Sequence, residues 1–390
     1  MARNPRLLAA IRLLFWTHLI SAIMVPFFRE WGGISLRQVL FLNGWFMLWN
    51  FLLEVPTGTV ADRFSRKTSI LLGLALGTGA IGVMVSAPRF EVFLLAEVIA
   101  ALAYTLLSGA DEALLYDSLL ALGREEEAQR SFSRLESFKL AGIVVGAVAG
   151  ALLATPLGLR MTVALQMLPM GASVLLALLL IEPSVHGAAQ VRPGYGEIFR
   201  GGVRHFLRTP ALGALALDLV TINAACWLIL WLYQPLLEAA GIGIAWFGLV
   251  HVGLSLGQIA VLGQSGRLQR WLGSRARLLQ LAAWLPGLAF LGLGVAGSPW
   301  SVIPLVILAA SFGLARSTLF AASLHSHIPS ERRATVVSTI SMLRTLGIAV
   351  GNTLGGLAVA FSLHGTAFAT GVVILLLALL ARSREEHLSD

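Results

Sequence analysis

The sequence predicts an all-α membrane protein with twelve transmembrane helices, arranged as two pseudo-symmetric bundles of six. Of its 390 residues, 57% are hydrophobic and only 12% are charged, about half the charged fraction of a typical soluble protein. The mean hydropathy is +0.82, and the apolar residues form runs of about 20, the length that crosses a bilayer as a helix. This composition excludes a secreted disulfide scaffold, a disordered chain and an ordinary soluble enzyme.

Twelve such runs follow one another, separated mostly by short connections that contain turn residues such as Pro88 and Pro299. The first run is long enough to span a bilayer and carries Arg12, which distinguishes it from a cleavable signal peptide. The predicted spans are residues 7–28, 38–61, 68–86, 92–116, 132–155, 162–181, 211–233, 244–263, 277–297, 301–322, 335–360 and 362–381. The predicted domains are an amino-terminal bundle at 1–184, a cytoplasmic linker with an amphipathic stretch at 185–209 and a carboxy-terminal bundle at 210–390.

The basic residues between the runs predict the orientation in the membrane. Most of the 28 Lys and Arg residues lie in alternate connections and the two tails, whereas the other connections contain only Arg29, Arg37, Arg89 and Arg160. Since basic residues concentrate on the cytoplasmic side, we expect a multi-pass protein of the bacterial inner membrane with both termini in the cytoplasm. The formal charge of +8 is spread over this face rather than gathered in one patch, so we expect no nucleic-acid partner.

The second half of the sequence repeats features of the first at an offset of 205 residues. Lys139 is followed by glycines at i+3, i+7 and i+11, and Arg344 is followed by glycines at the same spacings. In the same register, His18 of the first span corresponds to Asn223 of the seventh. Small residues let membrane helices approach closely, and duplicated helical halves are typical of transporters that move around a site at the bilayer midplane.

The connection between the second and third spans carries a recognisable motif. From Gly58 to Lys67 it reads G-T-V-A-D-R-F-S-R-K, which resembles the G-x-x-x-D-R-x-G-R-K signature of the major facilitator superfamily, with Ser65 where the family prefers glycine. Together with the twelve spans and the repeat, this resemblance covers the whole chain. It implies the major facilitator fold and a drug-efflux-like branch, although the R-x-x-Q-G and Gly-Pro signatures of proton-coupled drug antiporters are absent from spans 4 and 5.

The resemblance implies an inner gate built on this motif. Asp62 is an anion that would face the amino terminus of span 11, where negative charge is favoured. Arg63, Arg66 and Lys67 would pair with acids at the end of span 4, foremost Asp117. The resemblance also implies that spans 2 and 11 are neighbours, and counting helical rise puts two of their charged residues at similar depths. This leads to a further hypothesis, a bridge between Glu54 of span 2 and Arg344 of span 11. The predicted gating residues are Glu54, Gly58, Asp62, Arg63, Arg66, Asp117 and Arg344.

Ionisable residues inside the spans predict a polar centre. Glu97, Tyr104 and Asp111 follow i, i+7 and i+14 and so share one face of span 4. Such residues normally face protein or water, and the resemblance implies that spans 1, 4, 7 and 10 line a central cavity. The predicted cavity or coupling residues are Arg12, His18, Glu97, Tyr104, Asp111, Glu112, Lys139, Asp218, Asn223 and Arg316. The alternative interpretation is a static set of ion pairs that holds the helices together.

The sequence contains no Ser-His-Asp arrangement, nucleotide-binding glycine loop or histidine cluster, so we expect no enzyme activity, no cofactor and no resident metal. Carboxylates in a low-dielectric cavity can titrate near neutrality. We therefore predict a monomeric secondary active transporter, surrounded by membrane lipids, that uses alternating access and protons to export a small amphipathic or cationic organic compound. The alternatives are a lipid or amphiphile transporter, a metal-ion exporter that uses His18 and Cys226, and a non-transporting membrane receptor.

Overall fold

The computed structural model of the chain describes residues 1–63, 65–183, 210–326 and 333–380. All the regular elements in these ranges are helical, and ten helices are long and apolar enough to cross a membrane. This confirms the predicted all-α membrane class. The predicted linker at 185–209 lies outside the described residues, so the division of the chain at that linker stays a prediction.

The described part of the first half of the chain forms nine α-helices. A π-helical turn at Phe27–Trp31 follows α2, and a 3-10 turn at Glu125–Glu127 precedes α7. The helices are α1 (Asn4–Phe15), α2 (Met24–Pro26), α3 (Leu36–Arg63), α4 (Arg66–Met84), α5 (Phe90–Leu107), α6 (Ala110–Leu120), α7 (Ala128–Leu157), α8 (Leu159–Leu165) and α9 (Met167–Leu178).

The described part of the second half forms eight α-helices, with a 3-10 turn at Ile244–Trp246. They are α10 (Pro210–Trp227), α11 (Ile229–Ala239), α12 (Phe247–Gly263), α13 (Ser265–Leu272), α14 (Arg275–Leu293), α15 (Pro299–Ser326), α16 (Arg333–Val359) and α17 (Leu363–Leu380). The short helix α13 precedes α14.

The first and second predicted spans are the two that fall outside the ten candidate membrane helices. The first is not continuous, because α1 ends at Phe15 and residues 16–23 are not helical. The side-chain oxygen of Gln166 accepts a hydrogen bond of 3.0 Å from the backbone N–H of Ile20, which satisfies one donor of the opened segment. The second predicted span is the unbroken 28-residue helix α3, whose apolar stretch is interrupted by Asn43, Asn50 and Glu54.

Residue contacts divide the chain into two compact units. Unit 1 comprises the described residues of Met1–Ser35, Trp45–Arg192 and Ile244–Leu249. Unit 2 comprises the described residues of Leu36–Gly44, Pro193–Gly243 and Val250–Asp390.

The repeated glycines lie at helix contacts in both units. In unit 1 the glycine face of α7 lies against the end of α1, and a Cβ atom on Gly146 would be only 2.5 Å from the backbone nitrogen of His18. In unit 2 the corresponding face of α16 lies against α10, where a Cβ on Gly347 would be 2.8 Å from Val220. Glycine is therefore needed at Gly146, where the neighbouring atom is backbone, whereas the neighbour of Gly347 is a side-chain atom.

Candidate functional site

Unit 1 contains a polar cavity of about 160 Å³ beside two interrupted helices. One interruption is the end of α1 at Phe15, and the other separates α5 from α6. The polar or aromatic residues that line the cavity are Arg12, Phe15, Trp16, Tyr104, Ser108, Asp111, Glu112, Glu136 and Lys139. Four of the predicted ionisable residues (Arg12, Asp111, Glu112 and Lys139) and the predicted Tyr104 are thus brought together.

Gly109 creates the interruption in span 4. Its φ of +76° lies in the left-handed region that side chains with a Cβ disfavour, so α6 begins anew at Ala110. This places Asp111 and Glu112 in the first turn of α6, where the helix dipole favours carboxylates. One Asp111 oxygen accepts a hydrogen bond of 2.9 Å from the Glu112 backbone N–H.

Five charged side chains form one network in the cavity. The guanidinium of Arg12 pairs with Asp111 and lies 3.3 Å from Glu112 and 3.5 Å from Glu136. Glu136 also pairs with the Lys139 ammonium at 2.9 Å. Two cations thus face three carboxylates, which leaves one formal negative charge in excess.

The members of this network differ in exposure. The side chains of Glu112 and Glu136 are 56% and 49% exposed, whereas that of Arg12 is 12% exposed. The Lys139 ammonium lies 5.1 Å from the centre of the Trp16 ring, a cation–π distance, and Trp16 meets Tyr104 edge to face at 6.4 Å. The cavity therefore presents two reachable carboxylates next to an aromatic wall.

Unit 2 contains a different kind of ion pair between α10 and α15. The side chains of Asp218 and Arg316 are each 2% exposed, and one guanidinium nitrogen donates to both carboxylate oxygens at 2.9 Å. Arg316 also donates to the Leu279 carbonyl oxygen at 3.4 Å and lies 4.8 Å from the Phe320 ring centre. This pair is neutral as a whole and is shielded from water.

The remaining predicted cavity residues are not members of the unit 1 network. His18 stacks on Trp16 with ring centres 5.0 Å apart but is not among the lining residues. Within the described part of the chain, Glu97 has no basic side chain within ion-pair distance. Asn223 is buried on α10, and its side-chain oxygen has no hydrogen-bond partner among the described residues.

The motif cations make local contacts at the start of α4. Arg66 pairs with Asp117 and donates to the Ala113 carbonyl oxygen at 2.6 Å. Glu182 accepts hydrogen bonds from the backbone N–H groups of Arg66 and Lys67 at 3.0 and 2.8 Å. The pairing of Arg66 with Asp117 agrees with the sequence prediction, while a gating role for the pair stays a prediction.

The other gating residues are not tested. Gly58, Asp62 and Arg63 belong to α3, but the structure describes only their backbone. Glu54 belongs to unit 1 and Arg344 to unit 2, so the hypothesised bridge between them stays a prediction.

Sequence reasoning missed Glu136 and Glu182. Glu136 precedes Lys139 by three residues, the spacing at which opposite charges on one helix meet, and this signal was available in the sequence. Glu182 gave no such signal, because it follows α9 and reaches α4 only through the folding of the chain.

Unit 2 also contains an apolar crevice of about 580 Å³ lined by α10, α16 and α17. Two of its lining residues, Thr221 and Thr370, donate their hydroxyls to carbonyl oxygens of their own helices at 2.8 Å, so the crevice offers few free polar groups. Leu354, one of the lining residues, is 59% exposed. The crevice is therefore open to the surface of the unit.

Comparisons with known proteins agree with this architecture. The sequence pattern of the Major Facilitator Superfamily matches residues 7–352. A mutant form of the nucleoside transporter NupG superposes with a TM-score of 0.82 at 12% identity over 97% of this chain and 98% of that one. A POT family transporter in complex with a thioalcohol-conjugated peptide gives 0.72 at 14% identity over 97% and 95%. A POT family transporter in complex with 5-aminolevulinic acid gives a TM-score of 0.74 at 13% identity over 100% of this chain and 97% of that one.

Proposed function

Because the chain belongs to the Major Facilitator Superfamily, it is a multi-pass membrane transporter rather than an enzyme, and we propose that it exports a small cationic or amphipathic organic compound in exchange for protons. The proposed mechanism is alternating access, in which the unit 1 cavity opens to each side of the membrane in turn. The observation that supports the chemistry is the excess carboxylate of that cavity.

The charge balance of the cavity makes exchange possible. Arg12 and Lys139 neutralise two of the three carboxylates, and the remaining negative charge is available to a cationic group of the substrate or to a proton. Both ligands compete for the same charge, so the cavity holds one or the other. Such competition is the basis of antiport, and the exposed Glu112 and Glu136 are the carboxylates that a substrate meets first.

The Asp218–Arg316 pair has a different proposed role. Its charges cancel, and its burial leaves neither a proton nor a substrate easy access. We assign it the structural task of joining α10 to α15, so that the alternative interpretation of static ion pairs applies to unit 2. Protonation and substrate binding take place in unit 1.

The motif at the start of α4 completes the proposal. Arg66 and its partner Asp117 fix α4 to α6, which carries Asp111 and Glu112 at its other end. Movement of this fixed pair of helices during gating would therefore also move the cavity carboxylates. We propose that Asp62, Arg63 and a Glu54–Arg344 bridge close the gate, that both termini are cytoplasmic and that a monomer in the bacterial inner membrane performs the cycle.

Transport by purified protein in liposomes tests the proposal. With ethidium as the probe cation, an acidic vesicle interior should drive its accumulation, and dissipation of the pH gradient should abolish it. Glu112→Gln and Glu136→Gln should each reduce this accumulation at least tenfold, whereas Glu126→Gln, an exposed residue outside the cavity, should leave it unchanged. Accumulation that is independent of the gradient, or equal in all three variants, contradicts the proposal.

The apolar crevice of unit 2 favours one second candidate, the transport of a lipid or amphiphile. An acyl chain needs an apolar path that opens sideways, and the exposed rim at Leu354 supplies such an opening. Fluorescently labelled phospholipid in the same liposomes distinguishes the two functions. An external, membrane-impermeant reductant bleaches only the label in the outer leaflet. The bleached fraction stays at half of the total if the substrate is a small cation, and it rises with time if the protein moves lipids.

A further inference from the structure

A second polar pocket of about 180 Å³ lies at the opposite end of α6 from the cavity carboxylates. It is formed at the start of α1, the end of α6 and the start of α7. Its charged lining residues are Arg6, Arg124, Glu127 and Arg134, and its apolar ones include Leu115 and Leu119. None of these residues belongs to the candidate cavity.

The charges of this pocket are not balanced. Arg124 donates two hydrogen bonds of 2.7 Å to the two Glu127 oxygens, so these two side chains neutralise each other. Among the described residues, neither Arg6 nor Arg134 has a carboxylate within 4 Å, and the Arg134 guanidinium lies over the Phe138 ring at 5.6 Å. Two guanidinium groups of the same charge thus line one small pocket, and an anion bound between them would remove their repulsion.

The position of the pocket places it at the level of the lipid head groups. The helix α7 has 30 residues and is therefore about 45 Å long, while the hydrocarbon core is only about 30 Å thick. Its polar first turns, which contain Arg134, extend beyond the hydrocarbon. Leu115 and Leu119, each 1% exposed, close the inner side of the pocket, whereas Arg6 and Arg134 are exposed. The two arginines are therefore open to a ligand at the level of the head groups.

We propose that this pocket binds the head group of an anionic membrane phospholipid, with Arg6 and Arg134 as the ligands of its phosphodiester. A zwitterionic lipid fits less well, because its ammonium group would face the same arginines. The proposal is independent of the transported substrate, since it uses no residue of the candidate cavity.

Titration of the purified, delipidated protein with phosphatidylglycerol, followed by native mass spectrometry, tests this proposal. One basic residue near a membrane surface contributes about 1 kcal/mol to the attraction of anionic lipid, which is about fivefold in affinity. The double variant Arg6→Gln/Arg134→Gln should therefore bind about 25-fold more weakly. The control Arg267→Gln/Arg270→Gln removes the same charge from two exposed residues of α13 and should change the affinity less than twofold.

Further arms identify the ligand. Phosphatidylcholine should bind at least tenfold more weakly than phosphatidylglycerol, and inorganic phosphate should compete only at far higher concentration. An equal loss in the two double variants would show a general attraction of the basic protein for anionic lipid and would overturn the proposal. Displacement of phosphatidylglycerol by equimolar phosphate would also overturn it, because free phosphate would then be the ligand. Unchanged thermal unfolding of Arg6→Gln/Arg134→Gln without lipid shows that the variant is folded.

Discussion

The buried Asp218–Arg316 pair gives the sharpest prediction about stability. In Asp218→Asn the shape of the side chain is nearly kept, but its charge is lost. Arg316 then keeps its positive charge in a site that is 2% exposed, with carbonyl oxygens only at 3.4 Å. Removing one partner of a buried pair typically costs about 3–5 kcal/mol, because the other charge stays buried without compensation.

This cost translates into a measurable shift. At about 2–4 °C per kcal/mol for a unit of this size, the midpoint of thermal unfolding in detergent should fall by roughly 6–20 °C when followed by tryptophan fluorescence. The matched control is Glu127→Gln, which breaks the Arg124–Glu127 pair whose side chains are 48% and 46% exposed. Water solvates the arginine left behind there, so the control should change the midpoint far less.

A double variant separates a structural role from a transport role. Asp218→Leu/Arg316→Met removes both charges, and replacing a buried pair by apolar residues is often neutral or stabilising. We expect this variant to recover most of the lost stability and to transport ethidium. If Asp218→Asn unfolds no earlier than Glu127→Gln, the pair is not dry as described. If the double variant is stable but inactive, the pair takes part in transport.

Three further predictions concern the helix interruption, the close helix contact and the start of α4. Gly109→Ala should cost about 1–2 kcal/mol from its left-handed backbone alone, since a Cβ would meet no atom within 4 Å, and Gly109→Asn should cost less; chemical denaturation of the two variants measures the difference. Gly146→Ala should destabilise unit 1 by about 1–3 kcal/mol through overpacking. Gly79→Ala, where a Cβ would meet no atom within 4 Å, should be neutral or slightly stabilising. Equal unfolding midpoints for the two variants would contradict this reasoning. Glu182→Gln should weaken the carboxylate contact with the amino terminus of α4 by about 0.3–1 kcal/mol, and hydrogen exchange at Arg66 and Lys67 should become faster.

The sequence was sufficient to predict the class of fold and four of the five residues of the polar network, all except Glu136. Apolar runs of transmembrane length identified most of the helices, and the cost of burying charge singled out Arg12, Asp111, Glu112 and Lys139. It did not predict where α1 ends, because the apolar run continues through residues 16–23. The helix is interrupted where the α7 glycines pack against the backbone of this segment and where Gln166 accepts a hydrogen bond from it. Both are contacts that exist only in the folded chain.

Pairings between distant residues were harder to predict than the residues themselves. Arg12 meets Asp111 across 99 positions in the sequence, and Arg316 meets Asp218 across 98. Charge alone does not determine which carboxylate pairs with a given cation. The pairing also depends on the depth of each residue along its helix and on the rotation of that helix about its axis. The resemblance to the family motif identified Asp117 as a partner, but it did not decide which of Arg63, Arg66 and Lys67 would pair with it.

Proton movement out of the vesicle lumen tests the central claim, the exchange of a proton for a cation at the unit 1 cavity, most directly. Proteoliposomes with a pH-sensitive dye inside receive ethidium outside in the absence of any imposed gradient. The lumen should become alkaline as the cation enters and protons leave, and Glu112→Gln/Glu136→Gln should abolish this change. Ethidium entry without a change in luminal pH, or an unchanged signal in the double variant, would contradict exchange at these carboxylates.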